Sequence, residues 1–152
     1  MATKIRLQAD LKEFLSLLAS NKVEYLLIGG YAVGYYGCPR PTGDLDVWVA
    51  MTRENADRLV RTFSQFGLSV PAEKFLQENS IVRMGVPPFR LEVLTTIDGV
   101  DFGECYAARH RASIDGVDVD LISLADLRKN KAASGRAKDL SDLENLPQAD
   151  ND

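Results

Sequence analysis

Leu26–Val49 reads LLIGGYAVGYYGCPRPTGDLDVWV, and this stretch decides the fold. Tyr25–Ile28 is a short buried strand that Gly29-Gly30 stops. Tyr31–Tyr36 reads as a short helix, ended by Gly37 and Pro39. The next strand, Asp44–Ala50, opens on Asp44-Leu45-Asp46. Alternate side chains of a strand share a face, about 6.6 Å apart for two residues of rise. Asp44 and Asp46 therefore point the same way, while Leu45 and Val47 point into a core.

Upstream, Leu7, Leu11, Phe14, Leu15 and Leu18 recur at helical spacing. Asp10 and Glu13 resemble a capping box, which predicts a helix from Leu11. Downstream, Thr52 caps a helix whose inner face is Ala56, Leu59, Val60, Phe63 and Phe66, ended by Gly67. Ser80–Val86 and Phe89–Thr95 are two strands joined at Pro87-Pro88, and Asp98-Gly99 is a turn. Phe102–Arg111 is expected as a short helix. After an Asp115-Gly116 turn, Val117, Val119 and Leu121 alternate with Asp118 and Asp120, the pattern of a half-exposed strand. Ser123 and Asp126 form a second capping box before a helix reaching Gly135, and Leu140, Leu143 and Leu146 mark a last short helix. Strands and helices alternate, but two strands are adjacent. That predicts an α+β fold, a mixed β-sheet with helices packed on it, in one domain over residues 1–146 with a frayed acidic tail at 147–152.

Composition narrows the function. The chain has 152 residues, a net charge of −4 and hydrophobic residues at 45%, which suits a globular protein and excludes a whole-protein basic footprint for nucleic acid. His110 is the single histidine, so His-rich zinc sites and HExxH proteases are excluded. Cys38 and Cys105 make no disulfide framework, and a reducing cytoplasmic setting is expected. The N-terminal segment has charges throughout and reads as no signal peptide, and no apolar run is long enough for a membrane span.

The candidate chemistry lies around the double glycine. Two carboxylates on one strand face suit hard divalent cations, which take oxygen ligands, and magnesium is the expected ion with manganese as the alternative. Glycine lets phosphate approach the backbone, and a helix starting there would offer amide groups to an anion. Arg90, Glu92 and Leu94 share a face of the strand FRLEVLT. If that strand lies beside Asp44–Ala50, Glu92 completes an acidic triad for two ions and phosphoryl or nucleotidyl transfer.

Leu26–Val49 resembles the signature of the polymerase-β-like nucleotidyltransferase superfamily: a Gly-Gly turn, then hDxDh on a strand. The segments PPFRLEVLTTIDGVDF and KAASGRAKDLSDLENL are similar to a small bacterial branch that includes lincosamide and aminoglycoside nucleotidyltransferases and AbiEii-type toxins. The resemblance spans roughly residues 20–146 and implies a nucleotidyltransferase-like sheet and an enzyme that uses a nucleoside triphosphate. It implies that Gly29 and Gly30 hold the triphosphate, with Arg40 and Thr42 as further nucleotide-binding candidates, Arg40 pairing with an acid in the plainer reading. It implies that Asp44, Asp46 and Glu92 bind two Mg2+ ions, with Glu92 as third acid and general base. Many members carry serine at the position of Gly30, and the third acid is often aspartate. Many also use an added C-terminal domain for the acceptor, which these residues do not include. The acceptor could be a small molecule, an RNA 3′ end or a protein side chain. The alternative is a non-catalytic module of a toxin–antitoxin-type system that binds nucleotide or a cognate partner protein.

Residues 128–138, RKNKAASGRAK, are basic, and the residues after them are acidic. Lys131 and Arg136 match basic positions of the similar family segment, which implies contact with nucleotide phosphates. They could equally be a solvated helix face, or pair with Asp139 and Asp142 and fix the helices. Each other feature has a plainer reading. Gly29-Gly30 serves as well in a tight turn, and GGYAVGYYG lacks the GxGxxG spacing of a dinucleotide site. Glu92 could be salt-bridged to Arg90 or another base. Asp118-Val119-Asp120 repeats the DxD spacing without a glycine cradle, and reads as the wet face of an exterior strand. Trp48 is expected in the core, His110 on the surface, and both cysteines as buried small hydrophobes.

Overall fold

A computed structural model describes residues 8–37, 43–86 and 89–148. Leu7, Cys38, Pro39, Arg40, Thr42, the Pro87-Pro88 junction and residues 149–152 lie outside them. The elements, in chain order, are α1 (Ala9–Ser20), β1 (Tyr25–Ile28), α2 (Gly29–Tyr36), β2 (Asp44–Val49), α3 (Arg53–Gln65), β3 (Ile81–Val86), β4 (Phe89–Leu94), α4 (Phe102–Ala107), β5 (His110–Ile114), β6 (Val117–Leu121), α5 (Leu124–Ser134) and α6 (Ala137–Asn145). The strands form one sheet in the order β3-β4-β2-β1-β6-β5. β1 runs antiparallel to β2 and parallel to β6, and β2 runs parallel to β4. The sheet is mixed, as expected, with the helices packed on it. No helix among the described residues is long and apolar enough to cross a membrane.

The core follows the apolar periodicity. Leu11, Phe14, Leu15 and Leu18 of α1 are buried, and Phe14 meets Phe63 and Phe66 edge to face. On β2, Leu45, Val47 and Val49 are fully buried. Thr52 caps α3 by accepting the Asn55 N–H at 3.1 Å. The buried Asn55 side chain then accepts from Glu24 N and donates to the Glu24 and Ala50 carbonyls, tying the start of β1 to the end of β2. Trp48 is buried as expected, edge-on to Phe102, and its indole N–H donates to the Thr95 carbonyl. Cys105 is a buried free thiol, and His110 is exposed with Nε2 3.0 Å from the Tyr35 hydroxyl.

Four expectations are corrected. α1 begins at Ala9 rather than Leu11, because Gln8 is the cap and accepts the Asp10 N–H. The predicted helix over 102–111 ends at Ala107, and His110–Ile114 is a strand instead. Asp115 and Gly116 both have positive φ, the geometry of a two-residue hairpin turn, and this pairs 110–114 with β6. β6 is consequently an interior strand between β1 and β5, not an exterior one. Asp118 is exposed, but Asp120 is buried beside Arg109 and Arg111, and its N–H donates to the Tyr25 hydroxyl. Finally, α6 exists as expected, but Leu140 faces solvent while Asp139 and Asp142 are its buried side chains.

Candidate active site

Strand register assembles the site. Ile28 pairs with Asp46 across β1 and β2, and Asp46 pairs with Glu92 across β2 and β4. β1 passes into α2 with no intervening residue, so Gly29 stands beside Asp46. Gly29 has φ +69°, and a Cβ there would collide with Asp46 Oδ2. The first glycine is thus required by a left-handed backbone and by the volume of a carboxylate. The N-cap of α2 is Ile28, which supplies no side-chain capping oxygen.

The acids have different surroundings. Burial, then the negative charges of Glu92 and Asp44, push the Asp46 carboxyl up to about 6. No ion pair among the described residues reaches Asp46. Asp44 and Glu92 are held by arginines. Arg90 Nη2 lies 3.2 Å from Asp44 Oδ2, and its Nε lies 3.1 Å from Glu92 Oε1. Arg83 Nε adds a third contact at 3.3 Å to the same Glu92 oxygen. Among the described residues no group of three or more acidic, histidine or cysteine side chains is arranged as a metal cluster.

The facing wall is the α5–α6 corner. Ser123 caps α5 and Gly135 ends it in the left-handed conformation, as the sequence predicts. Lys131 is buried between two acids, with Nζ 2.9 Å from Asp139 Oδ1 and 3.3 Å from Asp142 Oδ2. Asp139 Oδ2 also accepts from Ser134 Oγ and from Arg136 Nε at 2.7 Å. Burial pushes the Asp139 carboxyl up, but the bonds from Ser134, Lys131 and Arg136 outweigh it and hold the carboxyl well below the usual range. Arg136 and Lys138 remain exposed.

Gly29, Gly30, Asp44, Asp46, Glu92, Lys131 and Arg136 all line one cleft of about 460 Å³. Arg40 and Thr42 lie outside the described residues.

No protein-family model matches the chain, and no curated protein sequence matches it. Solved structures do. A Thermotoga maritima protein provisionally described as a nucleotidyltransferase superposes with a TM-score of 0.61 at 16% identity, covering 92% of this chain and 94% of that one. The lincosamide antibiotic adenylyltransferase LnuA, solved with lincomycin, gives 0.61 at 15% identity over 94% of this chain and 98% of its own. The antibiotic-resistance factor ANT(2'')-Ia gives 0.58 at 14% identity over 90% and 80%.

The fold is that of the nucleotidyltransferases.

On this nucleotidyltransferase fold, residues outside the sequence reading also line the cleft. Arg83 is one, and antiparallel pairing of β3 with β4 through a two-residue junction places it opposite Glu92. Lys138 is another, an exposed cation at the rim whose charge counteracts the upward push on Asp46. Ile97 and Asn130 complete the far end, where Asn130 donates to the Asp98 carbonyl. No periodicity marks these last residues, because they come together only when the loop after β4 packs on α5.

Proposed function

We propose that this protein is an enzyme that transfers a nucleoside monophosphate from a nucleoside triphosphate to an acceptor hydroxyl and releases pyrophosphate. The observation that carries the reading is the register Ile28–Asp46–Glu92, which sets a glycine turn and three acids on one cleft wall. The donor set fits divalent cations, since the acids offer only oxygen and the negative charges of Glu92 and Asp44 lie close to Asp46. Asp44, Asp46 and Glu92 would hold two Mg2+ or Mn2+ ions, and ions so held supply charge neutralisation for the phosphates and the attacking oxygen.

The chain's own groups do the rest. The backbone at Gly29 and Gly30 receives the triphosphate at the N-terminal end of α2, where the helix dipole favours an anion. Arg136 and Lys138, which also line the cleft, offer it positive charge. Lys131 faces the same cleft and is aimed by Asp139 and Asp142. The acceptor oxygen attacks the α-phosphorus, the bond to the β-phosphate oxygen breaks, and Glu92 takes the hydroxyl proton. The acceptor is a small molecule, an RNA 3′ end or a protein side chain.

The test uses each triphosphate labelled at the α-phosphate, with Mg2+ or Mn2+ and a panel of these acceptors. Label transfer with pyrophosphate release is expected for the native chain and not for Asp46→Asn. Turnover retained in Asp46→Asn, or no nucleotide binding by calorimetry, would overturn the reading.

A further inference from the structure

The three acids of the cleft do not stand open to a cation. Two of the three are already occupied by positive charge from the chain itself. Arg90 pairs with Asp44 across β2 and β4, and its guanidinium reaches both Asp44 at 3.2 Å and Glu92 at 3.1 Å. Arg83, opposite Glu92 on β3, lies 3.3 Å from the same oxygen of Glu92. The arginines therefore sit where a divalent ion would draw its ligands.

Arg90 Nη2 donates one hydrogen bond to Asp44 Oδ2, but the two arginine contacts to Glu92 are ones of charge. A guanidinium built to hold a carboxylate permanently presents two parallel N–H groups to its two oxygens. Arg90 instead splits its nitrogens between two acids, and its buried Nε makes no directed hydrogen bond despite the short distance. Arg83 is anchored less still, with 58% of its side chain exposed. A single hydrogen bond to Asp44 and charge contacts to Glu92 neutralise the acids without the bidentate geometry that would make them hard to break. A doubly charged ion and a guanidinium cannot share these oxygens at close range, because their mutual repulsion at about 4 Å amounts to several kcal/mol even at a surface-like dielectric.

We propose that Arg90, with Arg83 beside it, is a displaceable internal counter-ion that competes with the divalent cation for Asp44 and Glu92, so that metal loading expels its guanidinium into the cleft. The proposal rests on the cation reading of the acidic triad and adds a control on its loading. It has a linked consequence. The expelled guanidinium gains a partner when a triphosphate is present, so nucleotide and cation each raise the affinity for the other. Loading is weak for the cation alone, and the site fills when both arrive.

The experiment is a calorimetric titration of the full chain with MnCl2, alone and with a non-hydrolysable triphosphate. It compares the native chain with Asp46→Asn, Arg90→Met, Arg90→Lys and Arg83→Met. Asp46→Asn is expected to weaken Mn2+ binding. Arg90→Met is expected to tighten Mn2+ binding alone by roughly tenfold and to shrink the gain from triphosphate, since one competing charge is gone. Arg90→Lys, which keeps a charge, stays near the native value. Arg83→Met, at an exposed position, is expected to tighten binding about threefold and decides the question if Arg90→Met does not fold. Mn2+ affinity equal to or weaker than native in the folded arginine-to-methionine variants overturns the counter-ion proposal alone. A Mn2+ isotherm unchanged by Asp46→Asn overturns the reading of the triad as a cation site, and the proposal with it.

Discussion

Gly29 and Asp46 share one volume: the carboxylate of Asp46 fills the space that a Cβ on residue 29 would take. Any side chain at 29 must move the acid, and it must also adopt φ near +69°. Gly29→Ala is therefore expected to cost about 1–3 kcal/mol of stability from backbone strain and displacement. It should also reduce Mn2+ affinity, because Asp46 no longer lies in register with Glu92. Thermal unfolding and calorimetry read the two effects separately. Gly30→Ser, at the next residue, should leave stability within about 1 kcal/mol because the position is already helical.

Asp46 sets a pH dependence of unusual sign. Its carboxyl is raised from 3.8 to about 6 in the folded chain, so the folded state binds the proton more tightly than the unfolded state. Stability should rise as pH falls from about 6 towards 4, and the ionised group costs the fold up to about 3 kcal/mol at neutral pH. Asp46→Asn should then raise the melting temperature at pH 7 and flatten its slope between pH 4 and 6. Asp139 runs the other way. Its depressed carboxyl stabilises the fold above its unfolded value of 3.8 and loses that contribution as pH falls below it. A melting temperature that climbs steadily from pH 4 to 7 would contradict the assignment for Asp46.

Lys131 and Lys138 line the same cleft but should behave differently on substitution. Lys131 is buried between Asp139 and Asp142, so Lys131→Met removes the buried cation the two acids share, although Asp139 keeps Arg136, and should destabilise by about 2–4 kcal/mol. Lys138 is exposed, and Lys138→Met should change stability by less than about 0.5 kcal/mol. Its effect should appear instead as a raised KM for the triphosphate with folding intact. Urea denaturation together with steady-state kinetics separates the two residues.

Asp118 and Asp120 share the DxD spacing of Asp44 and Asp46 but are expected to differ sharply from one another. Asp120 lies buried against Arg109 and the largely exposed Arg111, and Asp120→Ala should cost about 1–2 kcal/mol by removing the carboxylate that both cations face. Asp118→Ala, at an exposed position, should stay within about 0.5 kcal/mol. Chemical denaturation of both variants checks the contrast.

Much of the fold was legible because one principle at a time decided each element. The alternation of Leu45, Val47 and Val49 marks β2, the Thr52 cap marks α3, and Ser123 with Gly135 brackets α5. The helix expected over 102–111 failed where two signals competed. A helical start at Phe102 was extended across Arg109, although the Asp115-Gly116 turn requires a partner strand immediately before it. The meeting of Asp44, Asp46 and Glu92 on one cleft was legible through strand parity. The arginines over Glu92 and Asp44 are only partly legible: strand parity puts Arg90 beside Glu92, whereas its reach to Asp44 and the approach of Arg83 depend on pairing between strands. Asp120 misled for a related reason. Its polarity suggests solvent, and only the interior place of β6 forces it to be buried and paired.

Trp48 is the single tryptophan of the chain and stands two residues beyond Asp46 on the same strand. Its indole N–H is bonded to the Thr95 carbonyl, and Thr96 and Ile97, the next residues, border the cleft. Excitation at the red edge of protein absorbance therefore interrogates one fluorophore coupled by a single bond to the rim of the pocket. Occupancy of the cleft should be readable as a change in its emission, with no dye or tag attached.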